Sequence, residues 1–137
     1  MIRYDKKVRV FAALLSALAG YVDAIGFIHL GGFFVSFMSG NSTRLGVGLA
    51  ENWSSAIVAA GLVATFVAGV VIGCLVGHVA RSRRRPAVLI LVSALLALAA
   101  TLGMLGVYRG AVIAMALAMG AENAVFEQGG EVHIGLT

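Results

Sequence analysis

Residues 53–80 read WSSAIVAAGLVATFVAGVVIGCLVGHVA, a run from Trp53 to Ala80 without one Asp, Glu, Lys or Arg. A helix of about 20 apolar residues, rising about 1.5 Å per residue, crosses a hydrocarbon core, so this run is long enough to span one. The rest of the chain has the same character. Of its 137 residues, 61% are hydrophobic and 12% charged, whereas soluble domains lie near roughly 45–50% apolar and about 25% charged. A water-soluble core of this size cannot hide so much apolar surface. The solvent is therefore lipid, and the expected fold class is all-α, a polytopic transmembrane helical bundle.

Working outward from 53–80, three more segments have spanning character. The first runs from about Val10 to Leu30 and is interrupted only by Asp23. A third runs from about Pro86 to Val107, with the proline at a permitted first-turn position. A fourth runs from about Gly110 to Phe126 and carries Glu122 and Asn123 near its end. The chain reads as one integral membrane domain, residues 1–137. A signal peptide is the competing reading of the N-terminus, because Met1 to Arg9 is basic and Ala17-Leu18-Ala19 fits a cleavage pattern. The mostly apolar stretch continues to Met38, however, so a retained first helix is expected.

The net charge is +4 and the basic residues are clustered. Arg3, Lys6, Lys7 and Arg9 form one knot, and Arg81, Arg83, Arg84 and Arg85 a second; only Arg44 and Arg109 lie elsewhere. Clusters abutting long apolar runs read as cytoplasmic loops rather than as a nucleic-acid surface. The partner expected is the lipid bilayer of the cell membrane, with the N-terminus cytoplasmic and no nucleic acid. Cys74 is the single cysteine, so no internal disulfide forms.

Within residues 53–80, Gly61, Thr65, Gly69, Gly73 and Gly77 recur every four residues, with Ala60, Ala64 and Ala68 on an adjacent stripe. Small residues at that spacing let helices approach closely in lipid. They are read as packing positions, inside one protomer or between protomers of a homo-oligomer.

The chain also repeats itself. Gly20, Asp23, Ala24 and Ile25 match Gly120, Asn123, Ala124 and Val125, and each unit is followed by a glycine pair, Gly31-Gly32 and Gly129-Gly130. Three spans separate the two starts, so the second unit enters the membrane from the opposite side, as in inverted-topology repeats. Repeat unit one covers about 10–107, and the start of unit two covers about 110–137.

At these residues the chain resembles a known family. GYVDAIGFIHLGGFFVSFMSGNSTRLG (20–46) and GAENAVFEQGGEVHIGLT (120–137) are similar to the two signatures of the YoaK family of bacterial membrane proteins, also called domain of unknown function 1275. The resemblance covers essentially the whole chain. It implies a six-helix parent of 3+3 inverted repeats, of which this chain resembles a C-terminally truncated member, and it supplies no catalytic residues.

The candidate site centres on Asp23, an acid inside a span flanked by Gly20 and Gly26. Such a group costs about 2.5–3.5 kcal/mol at the bilayer centre and ordinarily faces a bundle interior or a wet cavity. One reading makes it a ligand for a cation, proton or substrate amine; the other makes it a hydrogen-bonded structural residue. Asn123 is expected at a similar membrane depth, near a pseudo-twofold axis. Glu122, closer to a helix end, is expected to reach water. Ser39, Asn41 and Ser42 are read first as caps for a helix over Thr43 to Ala50, and second as an anion-binding turn. His29, His78 and His133 are dispersed without ligand spacing, so no metal is expected; no cofactor motif or nucleophile elbow is present, and the chain is not expected to be an enzyme. Two functions remain: a permease for a small solute or ion, with a polar cavity around Asp23, or a structural assembly protein with dry packing there.

Overall fold

The structure is a computed structural model and describes residues 6–128 and 131–132. Five helices follow in order: α1 Lys6–His29, α2 Met38–Glu51, α3 Trp53–Ala80, α4 Arg84–Met104 and α5 Tyr108–Glu122. A 3-10 turn at Arg81–Arg83 joins α3 to α4, and another at Asn123–Phe126 extends α5. Beyond it, Glu127–Gln128 pairs antiparallel with Glu131–Val132. The glycine pair Gly129-Gly130, and His133 to Thr137, lie outside the described residues.

The expected spans are present, with ends shifted by a few residues. α1 and the run Trp53–Met104, which α3 and α4 share, are long and apolar enough to cross a membrane. That run is divided where Arg81 adopts a left-handed backbone, φ 46°. Pro86 falls in the first turn of α4, whose amides have no intrahelical partner in any case. α5 has 15 residues and its extension four; at about 1.5 and 2.0 Å per residue, the two together reach about 30 Å, the hydrocarbon thickness.

The His29 ring stacks on Tyr108 at 6.2 Å, so the end of α1 and the start of α5 share one level. α3 and α5 descend side by side from there, because Gly69 faces Leu117 and Gly73 faces Ala121. α4 rises beside them, packed mainly on α5, back to that level and turns through Gly106, φ 76°. The N-terminus of α1 and the Arg81–Arg85 knot therefore lie together at the opposite end.

The glycine stripe of α3 is used inside the protomer. A Cβ built at Gly120 runs into the Phe66 carbonyl and sits 2.9 Å from the Val70 nitrogen, while one at Gly73 sits 2.8 Å from the Ala121 backbone. Backbones thus touch where α3 and α5 cross, and lipid gives helices little other reason to associate. Gly77 lies under the Arg84 side chain, and Gly61 has open space around it. The main core gathers Leu15, Ala19 and Val22 of α1, Val88 and Val92 of α4, and Ala116 to Ala121 of α5. On α1 the buried positions Leu15, Ala19, Val22 and Gly26 follow the helical period.

The segment between α1 and α2 departs from the expectation of a plain loop. Gly31 and Gly32 have φ of 65° and 101° and reverse the chain at the end of α1. Residues 33–37 then run back alongside α1. Val35 reaches the level of Asp23, six residues or about 9 Å below His29. α2 climbs away again, its Arg44 guanidinium 5.9 Å from the Phe27 ring centre and 5.2 Å from that of Phe33. Asn52 alone separates α2 from α3; its Oδ1 accepts from the Ser54 amide at 3.2 Å and the Ser55 amide at 3.4 Å. The chain thus makes four crossings and one hairpin that dips in and returns.

Because α3 and α5 meet backbone to backbone, Gly120→Val should cost about 1–3 kcal/mol through overpacking. Gly61→Ala, with open space, should be neutral or slightly stabilising. Thermal unfolding of both variants in detergent measures the contrast.

Candidate functional site

Asp23 is the point on which the dipping hairpin hangs. Its Oδ1 accepts the Val35 amide at 2.6 Å and the Ser36 amide at 2.7 Å, and its Oδ2 accepts the Ser36 hydroxyl at 2.6 Å. The irregular backbone of 33–37, which bends at Val35 and Ser36, carries N–H groups that no helix or strand satisfies, and hydrocarbon offers no acceptor. One carboxylate answers three donors at once. Gly26 makes the approach feasible, since a Cβ there would occupy the place of the Val35 side chain.

Asn41 works beside it. Its Oδ1 accepts the Phe34 amide at 3.0 Å and its Nδ2 donates to the Phe34 carbonyl at 2.7 Å, so a fully buried side chain closes both backbone groups of one residue. This corrects the capping expectation. α2 starts at Met38, earlier than Thr43, with Phe37 at the cap position and no side-chain cap bond. The Ser42 hydroxyl instead donates to the Met38 carbonyl at 2.9 Å, within the helix. Ser39 is exposed, and its carbonyl accepts the Thr43 hydroxyl. Of the groups read as an anion-binding turn, Asn41 is spent on the loop and the Ser42 hydroxyl on its own helix.

Two further expectations are revised. From the His29–Tyr108 level, Asp23 lies about 9 Å down α1, whereas Asn123, fifteen residues down α5, lies about 22 Å away. They are not at one depth. The Asn123 Nδ2 donates locally to the Met119 carbonyl at 3.1 Å. Glu122 does not reach water. It is 0% exposed, and neither carboxylate oxygen has a hydrogen-bond partner among the described residues. In the repeat register it corresponds to Val22, a core position of α1 at 4% exposure, so the helix face directs it inward.

The principal cavity lies away from Asp23. A space of about 620 Å3 opens between the end of α1, α3 and the start of α5. Leu30, Leu62, Val112 and Ile113 give it an apolar wall; His29, Thr65 and Arg109 supply polar groups, and no lining residue is acidic. Of the stripe, Gly61 and Thr65 face this space. Sequence reasoning missed the site because its residues come from three elements. It also missed Ser36, although a hydroxyl inside the short apolar stretch 33–38 was a usable signal.

Length, hydropathy and an in-membrane hairpin closed by its own side chains define a multi-span helical membrane protein. The chain belongs to the family described as Protein of unknown function (DUF1275), which matches residues 11–137. It is similar to the UPF0700 transmembrane protein RA0705 of Rhizobium meliloti (strain 1021), at 41% identity over 131 residues, covering 91% of this chain and 53% of that protein. The chain thus spans about half the length of the curated relative it matches. No solved structure matches it.

The hydrogen bonds at Asp23 set an order among variants. Asp23→Ala strands two backbone amides and should cost about 2–6 kcal/mol, at about 1–3 per buried group. Asp23→Asn keeps an acceptor for both amides, so its loss should be far smaller, and Ser36→Ala should fall between them. Thermal unfolding and amide hydrogen exchange at Val35 and Ser36 check that order.

Proposed function

We propose that the protein is a cell-membrane carrier for a small organic anion, with its N-terminus in the cytoplasm. The observation that carries this reading is the cavity at the His29–Tyr108 end. Its volume falls in the range of about 300–1,000 Å3 usual for small-molecule sites, and an apolar wall with a few polar groups is the usual composition. Arg109 and His29 without an acid select a negatively charged group, and the Leu and Val wall selects an apolar body. Besides α3, its walls come from the end of α1 and the start of α5, the helices that carry the two matching sequence units. Carriers built from inverted repeats bind at the repeat interface.

The two basic clusters at one end of the bundle support the orientation, since Lys and Arg favour the cytoplasmic side. The cavity then opens outward. Asp23 enters this reading as the residue that holds the dipping hairpin, not as a solute ligand, and no bond-making chemistry is assigned to any residue. A scaffold that oligomerises through the α3 glycines is less favoured, because Gly69 and Gly73 are already covered by α5.

The test is thermal stabilisation of the purified chain by short aliphatic and aromatic carboxylates. A ligand at about 100 times its Kd raises stability by about 2.7 kcal/mol. Carboxylates should stabilise and matched primary amines should not. Arg109→Gln should abolish the effect, while Arg44→Gln, outside the cavity, should preserve it. Equal stabilisation by amines, or an unaltered response in Arg109→Gln, refutes the reading.

A further inference from the structure

Glu122 is not used by the cavity. It stands fourteen residues down α5 from Tyr108, about 21 Å toward the arginine-rich end, and neither of its carboxylate oxygens has a hydrogen-bond partner among the described residues. The surrounding core is Ala118, Met119, Ala121, Ala124 and Val125. These side chains offer no oxygen ligands, and no cluster of three His, Cys, Asp or Glu occurs among the described residues. An ionised carboxylate buried in such a setting, without a counter-charge, costs several kcal/mol. A metal cation would find one carboxylate where it needs several oxygens. A single proton satisfies the group without further ligands.

A cavity with polar lining groups lies near the same end of the bundle. This second cavity, of about 340 Å3, lies between α3 and the start of α4, lined by Val70, Cys74, His78 and Arg84 among others. Two of its lining residues also touch the end of α5 and the turn that follows it. The Val70 nitrogen lies 2.9 Å from a Cβ built at Gly120, and the Arg84 Nε donates to the Ala124 carbonyl at 3.1 Å. His78, exposed at the mouth, can relay protons from water.

We infer that Glu122 is a proton-exchanging site inside the membrane, loaded from the arginine-rich end through the cavity beside Cys74, His78 and Arg84. The titratable and charged groups on the helices packed around it are Cys74 and His78 on α3, Arg84 and Arg85 on α4, and Lys6, Lys7, Arg9, Tyr21, Asp23 and His29 on α1, the Asp23 oxygens being occupied by the hairpin. The inference rests on the carrier reading only for its purpose: a proton moving with an organic anion makes transport electroneutral. The site itself rests on burial and on two carboxylate oxygens without a hydrogen-bond partner among the described residues.

The experiment treats the full chain in detergent with dicyclohexylcarbodiimide, a lipid-soluble reagent for protonated buried carboxyls, and maps the adduct by peptide mass spectrometry. The expected result is modification at Glu122 that slows at least about tenfold from acidic to alkaline buffer, as for a group that titrates with the medium. Asp23→Asn should leave the adduct in place, and Glu122→Gln should remove it. Because the adduct is mapped in the unaltered chain, the result does not depend on any variant folding. No adduct at Glu122, an adduct on Asp23 instead, or labelling indifferent to pH would each overturn the inference. Stabilisation by carboxylates is read separately, so the carrier reading stands or falls on its own.

Discussion

Backbone amides in hydrocarbon must find an acceptor within the protein, and Asp23 is where this fold meets that demand. Helices satisfy their own backbone, so a chain can cross lipid only as helix or closed barrel. Residues 33–37 do neither. They follow two left-handed glycines at the end of α1 and run back into the bundle as irregular chain that bends at Val35 and Ser36. The carboxylate takes the Val35 and Ser36 amides, and Asn41 takes both polar groups of Phe34. With those bonds made, Phe33 is free to fill the space against Ala59 and Leu62, which fixes α2 on α3. An acid that looks out of place in an apolar helix is thus the means by which a non-helical segment enters the membrane.

The second constraint is steric. α5 is short and rich in alanine and glycine, and it meets α3 and α4 closely because side chains are absent where they would collide. The crossing at Gly69, Gly73 and Gly120 brings main chain against main chain. This leaves α5 with little freedom to rotate, and its inward face is set by position in the helix rather than by polarity. Glu122 is buried for that reason.

Much of the architecture was legible in the residues themselves. Freedom from charge over 53–80 and 86–107 located α3 and most of α4, and the charge knots located the turn between them. Such features are local, and a spanning helix is a local structure. What stayed hidden depends on contacts between residues far apart in the chain. The partners of Asp23 lie twelve and thirteen positions away, and hydropathy sees only a stretch too short to span. The capping residues misled because Asn and Ser prefer helix starts in general, while here Asn41 has a stronger claim in the unpaired backbone of Phe34. Glu122 misled because closeness to a helix end suggests access to water, and the 3-10 extension through Phe126 removes it.

The two acids stand at different levels of the bundle. Asp23 lies about 9 Å from the level of His29, and Glu122 about 21 Å from it. The chemistry of the two places also differs. In the first unit the acid is one residue past the core position and meets a returning loop that neutralises it with three donors. In the second unit that later position holds an amide, Asn123, which donates to the Met119 carbonyl one turn back. The carboxylate has moved one residue earlier, onto the face that Val22 occupies in α1. A shift of one position, about 100° around the helix, turns a satisfied anchor into a buried acid whose charge must be managed by something that comes and goes.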